Sequence, residues 1–168
     1  MISKSKTLLF ILSMATGLAA AQAAQRSFNF GISAASTDVK AGAPVIVKVQ
    51  LKNTSDHDLS WMSLPGGDVH GEVVGFRPIV KDAQGKEPPL TKWGRQVFGR
   101  TAKGEPGLVL NAVGLVAVHP GDVMKTEIHL NEIYDLSAPG KYSVQVRYFD
   151  DENKDEVRSN AITVTVAP

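Results

Sequence analysis

Two groups of residues carry the side-chain types from which chemistry is built. The first is histidine set among carboxylates. Asp56-His57-Asp58 and Asp68-Val69-His70-Gly71-Glu72 lie on either side of Trp61. If the chain between them folds back, His57 and His70 bring two imidazoles and several carboxylates together, a ligand set that suits zinc or copper. The plainer reading is polar turn residues at two strand ends, because a metal site needs ligand geometry as well as ligand types. His119 belongs to a Pro-Gly turn, and His129 to the polar face of a strand pattern.

The second group is Lys92-Trp93-Gly94-Arg95-Gln96-Val97-Phe98-Gly99-Arg100. Trp93 and Phe98 are large apolar groups in a segment that also carries Lys92, Arg95 and Arg100. Aromatic residues with arginine are the composition of binding hot spots. Loops on a rigid scaffold are also where recognition is commonly placed. The competing reading is that Trp93 and Phe98 pin a long loop to the body of the domain.

Other chemistries find little support. There is no Gly-x-Ser-x-Gly elbow and no His-Glu-x-x-His pair. The glycines are scattered at turns rather than gathered into a phosphate cradle. Asp150-Asp151-Glu152-Asn153-Lys154-Asp155-Glu156 lacks the glycine of a calcium loop and is interrupted by a lysine, so it reads as a solvated hairpin tip. No enzyme activity and no cofactor is expected.

The N-terminus sets the compartment. Lys4 and Lys6 precede an apolar stretch from Leu8 to about Ala21, followed by Ala21-Gln22-Ala23. This is the pattern of a cleavable signal peptide over residues 1–23, too short for a spanning helix. The expected protein is exported, periplasmic ahead of extracellular, and free of the membrane after cleavage. Losing Lys4 and Lys6 takes two positive charges from a chain of formal net charge +1, leaving −1. A near-neutral surface gives no reason to expect nucleic acid. There is no cysteine, hence no disulfide, no thiolate metal site and no lipid attachment.

The elements that must position these residues are strands. Phe28, Phe30 and Ile32 alternate, as do Val45, Val47, Val49 and Leu51. A short strand with Trp61 spans Leu59–Ser63, and a longer one Val73–Lys81, where Pro78 points to an edge or bulge. Leu108–Leu110 and Leu115–Val118 are short apolar runs. Met124, Thr126, Ile128 and Leu130 alternate in the next strand, after which Asn131 can cap a single helical turn. Tyr142, Val144, Val146 and Tyr148, with Ile162, Val164 and Val166, form a closing hairpin. Turn signals stand at Lys40-Ala41-Gly42, Asn53-Thr54-Ser55-Asp56, Pro65-Gly66-Gly67, Asp82-Ala83-Gln84-Gly85 and His119-Pro120-Gly121-Asp122. Residues 87–106, with Pro88-Pro89, read as an irregular connection. The pattern predicts one domain over residues 24–168, an all-β antiparallel immunoglobulin-like sandwich of seven to nine strands.

Pro139-Gly140-Lys141-Tyr142-Ser143-Val144 resembles the corner that opens the penultimate strand of immunoglobulin-like sandwiches. That resemblance implies that the Tyr142 hydroxyl bonds back to the preceding corner, and that Val144 stands where antibody domains carry a cysteine. The order of turn signals is similar to uncharacterised exported bacterial fibronectin-III-like sandwich proteins and, more weakly, to the bacterial intracellular proteinase inhibitor domain. The expected function is a non-catalytic module that recognises a protein or peptide, through residues 92–100 or by strand addition at an edge near Pro78. A small periplasmic zinc or copper protein and a proteinase inhibitor are the alternatives.

Overall fold

A computed structural model describes residues 26–63, 75–108 and 114–168. Three sheets form. The first is β1 (Phe28–Ala34), β3 (Ile46–Asn53) and β7 (Val123–His129), in the order β1-β3-β7. The second runs β2 (Asp38–Lys40), β10 (Ile162–Ala167), β8 (Gly140–Asp150), β5 (Arg77–Lys81), with β9 (Asp155–Arg158) also on β8. A two-stranded ribbon pairs β4 (Leu59–Ser63) with β6 (Gly114–Val118). Two short helices are α1 (Lys92–Val97) and α2 (Leu130–Ile133). All pairings are antiparallel except the three-residue β2 on β10. The fold is all-β and sandwich-like. Among the described residues, no helix is long and apolar enough to cross a membrane.

Period-two alternation builds the core. Val47, Val49 and Leu51 of β3 are fully buried while Lys48, Gln50 and Lys52 are exposed. From the other sheet Val80, Val144, Val146, Val164 and Val166 join the same cluster. Trp61 brings the ribbon into it, stacked on Tyr148 at 4.5 Å and on Phe76 at 5.5 Å. Offset aromatic stacking adds to area burial, about 0.5–1.5 kcal/mol per pair.

The corner is present. The Tyr142 hydroxyl donates to the Ala138 carbonyl at 2.7 Å, and Val144 is fully buried. The return strand is split, however. Val144 faces Ile162 but Arg147 faces Arg158, so one extra residue is inserted between β9 and β10. Ser159 closes this bulge by exchanging bonds with Val146, through its hydroxyl and its N–H. Asn160 then reaches across to β1. Its amide nitrogen donates to the Ile32 carbonyl at 3.0 Å and its oxygen accepts from the Ile32 N–H at 2.9 Å.

Three local expectations are corrected. Asn131 lies inside α2 rather than before it; its side chain accepts from the Val45 N–H at 3.0 Å, tying α2 to β3. The hairpin tip is not wholly solvated. Asp150 is buried and accepts from the backbone of Glu152 and Asn153, a local turn that a short side-chain oxygen makes. Glu152 in turn meets Ser27 and His57. Finally, residues 87–106 are not structureless, since they contain α1.

Candidate binding site around residues 87–106

The segment is organised by Thr91. Its hydroxyl accepts from the Gly94 N–H at 3.0 Å, capping α1, and donates to the Glu132 carbonyl within α2. The Thr91 N–H bonds Ile133 O at 2.9 Å, and Leu90 forms an isolated bridge with Tyr134. At Gly94 the two short helices touch: a Cβ there would lie 2.1 Å from Ile133 O. Only glycine permits that approach.

The distal half of the segment folds back on α1. Arg95 forms a two-nitrogen pair with Glu105, Nη2–Oε1 3.0 Å and Nε–Oε2 3.3 Å, and Nη1 also donates to Leu90 O at 3.3 Å. Glu105 accepts the Ala102 N–H as well. These bonds hold the Glu105 carboxyl below its ordinary range, chiefly through the Arg95 hydrogen bond.

The five predicted contact residues therefore divide. Trp93 packs against the core, and its indole nitrogen is buried without a hydrogen-bond partner among the described residues. Arg95 is committed to Glu105 and Leu90. Both fasten the segment down. Lys92 is exposed. Phe98 and Arg100 face a groove of about 330 Å³ whose other wall is β5. Phe98 is half-buried, edge-on to Tyr134 at 6.1 Å, with the guanidinium carbons of Arg77 and Arg100 at 5.8 and 5.7 Å from its ring centre. Such contacts contribute about 0.5–1 kcal/mol each at exposed sites. Arg100 also meets Glu87 at 3.0 Å.

Among the described residues β5 is an edge strand, as Pro78 implied. Its outward backbone is blunted. Val146, opposite Pro78, spends its N–H and carbonyl on Ser159, so Pro78 turns its own backbone away from β8. Proline has no N–H to offer there. The Pro78 carbonyl accepts the Tyr134 hydroxyl at 3.0 Å. Burial, then the charge of Glu87, pushes the Tyr134 phenol well above its ordinary value, so it stays a neutral donor. A proline and a covering side chain are recognised protections against edge-to-edge pairing. This edge is poorly suited to strand addition.

Sequence reasoning missed Arg77, Glu87 and Tyr134 as groove residues. Pro78 flagged the edge beside Arg77, but nothing local marks Tyr134 as its cover.

Each described histidine has its own carboxylate partners. His57 sits between Asp56 and Glu152, Nδ1 at 3.1 Å and Nε2 at 3.0 Å, and both hydrogen bonds raise its pKa, that of Asp56 the more. His119 meets Asp58 at 2.8 Å, which raises its pKa too. His129 lies within 4.0 Å of Glu127 and Glu132. His70 lies outside the described residues. Among the described residues, no group of three or more His, Cys, Asp or Glu is placed to hold a metal.

No protein-family model and no curated protein matches the chain. Among solved structures it is similar to a β-glucosidase from Listeria innocua in complex with isofagomine. The identity is 16%, the TM-score 0.42, and the match covers 84% of this chain and 16% of that one. A β-glucosidase from Erythrobacter marinus gives 15% identity, a TM-score of 0.40, and coverage of 84% and 15%. The chain spans only a small part of either glucosidase, and a likeness of this extent says nothing of activity.

Proposed function

We propose that this chain is an exported, non-catalytic binding module, released by cleavage after Ala23, that recognises a protein or peptide at the groove between Phe98 and β5. One observation carries the reading: Phe98 lines the groove, half-buried, with the guanidinium carbons of Arg77 and Arg100 within 6 Å of its ring centre. An aromatic anchor with arginine in a concavity is the arrangement that concentrates binding energy. Trp93, Arg95 and Gly94 serve it by making the segment rigid, which lowers the ordering cost of association. Of the two modes open to the sequence, side-chain recognition is favoured over strand addition, because Pro78 and Tyr134 occupy the edge.

The test is quantitative affinity purification from the export compartment with the wild type, Phe98→Ala and Lys125→Ala. Lys125 is exposed on β7, in the other sheet. A partner recovered with the wild type and with Lys125→Ala, but depleted about tenfold or more with Phe98→Ala, supports the reading. Equal recovery from all three refutes it.

A further inference from the structure

An unpaired strand edge invites a further strand, and folded proteins guard their edges with charge, proline, brevity or a covering side chain. The two larger sheets do so. β5 has Pro78 and the Tyr134 hydroxyl. At β1 the Asn160 side chain takes both the N–H and the carbonyl of Ile32. β2 is three residues long and carries Asp38 and Lys40. β7 carries exposed Lys125 and Glu127, and β9 exposed Asp155 and Arg158.

β6 has none of these devices. It reads Gly114-Leu115-Val116-Ala117-Val118, without charge or proline, and among the described residues it pairs with β4 alone. Gly114 to Ala117 are all exposed, Leu115 by 74% and Val116 by 49%. Four consecutive exposed apolar residues are out of place on a surface unless something docks there. Core packing does not account for them. Only Val118 is buried, and Trp61, which anchors the ribbon, belongs to β4.

The strand is complementary to its own reverse. Laid antiparallel on a second β6 about Val116, Leu115 stands opposite Ala117 at both ends, a large group beside a small one, and Gly114 stands opposite Val118. No like charges meet, the condition that most often forbids a strand from pairing with itself. The turn His119–Asp122 follows at once, so pairing stops at these five positions. A charged segment would find no counter-charge on β6, whereas a second copy brings an edge of matching size and chemistry.

We propose that β6 is a self-association edge. Two copies pair β6 to β6 across a two-fold axis at Val116, joining their ribbons in the order β4-β6-β6-β4. Such a contact is isologous and closes on itself. Five paired residues a side fall short of the roughly 1,200 Å² of a stable interface, so the dimer is weak and reversible. No β6 residue lines the groove beside Phe98, so the dimer is independent of that site.

The test is sedimentation of the purified chain from about 1 to 500 µM, a range that spans weak dissociation constants. Monomer gives way to dimer across the series. Val116→Lys sets two ammonium groups opposite each other and weakens the dimer about tenfold or more. An equimolar mixture of Val116→Lys and Val116→Glu restores it, which requires position 116 to face its own copy. The chain has no cysteine, so Val116→Cys supplies its only thiol. Opposed Cα atoms lie about 4.5–5.5 Å apart, within disulfide reach. Mild oxidation at dimer-forming concentration therefore links Val116→Cys about tenfold faster or more than Val123→Cys, a site of similar exposure, 47%, on β7. A chain that stays monomeric throughout overturns the proposal, including one that instead takes up an uncharged strand peptide or phosphatidylcholine vesicles. A dimer indifferent to Val116→Lys, or one that the mixture fails to restore, also overturns it. If a lowered thermal midpoint shows that Val116→Lys folds poorly, the cysteine pair decides, and equal linking from positions 116 and 123 overturns it.

Discussion

At Gly94, with a Cβ only 2.1 Å from Ile133 O, the placement of α1 depends on a single missing methyl group. Gly94→Ala is expected to destabilise the protein by about 2 kcal/mol or more, read by denaturant unfolding, because backbone rather than a flexible side chain must move. The sequence offers Gly94 as one glycine among many; its meaning depends on a carbonyl far along the chain. Tyr142 is the opposite case. Its hydroxyl bonds the Ala138 carbonyl four residues away, so a local motif made the contact legible. Tyr142→Phe is expected to cost about 1 kcal/mol. The histidines were legible by type but not by partner. His57 and His119 have pKa values raised above 6.5 by carboxylate hydrogen bonds. Such groups add stability that is fully present below their unfolded value and is lost as pH rises through the folded one. Imidazole titration by NMR should give midpoints above 6.5 for both, falling back in Glu152→Gln for His57 and in Asp58→Asn for His119.

Strands and the segment 87–106 obey different rules at the scale of elements. β1, β3, β4, β7 and β8 follow from alternation and turn chemistry, since each side chain's burial is set by its own place in the period. α1 has too few residues for periodicity to register and is held by Thr91, Arg95 and Glu105 rather than by propensity. Glu105→Gln should therefore leave the sandwich intact while raising hydrogen-exchange rates of the amides from Arg95 to Ala102. The β5 edge depends in the same way on a residue from another element. Tyr134→Phe strips the Pro78 carbonyl of its donor. It is expected to cost about 1–3 kcal/mol, read by denaturant unfolding. β2 and β9 escaped notice because a three-residue parallel pairing and a bulged return strand leave almost no periodic trace.

For the whole molecule, fold and function separate cleanly. Two sheets close over a valine-rich core in which almost every large group is accounted for by packing. The proposed binding surface lies outside it, at the groove between β5 and the capped segment. The full chain carries a formal net charge of +1, so the arginines that line the groove are a local feature rather than a consequence of composition. If the leader is removed as the N-terminal pattern predicts, intact mass of the periplasmic protein corresponds to a chain beginning at Ala24. The most direct test of the groove is a photoreactive side chain placed at position 100 in living cells, with position 125 on the opposite sheet as its control. The account predicts a discrete adduct from position 100 that disappears in the Phe98→Ala background, and none from position 125. An adduct that persists without Phe98, or forms equally from position 125, would contradict it.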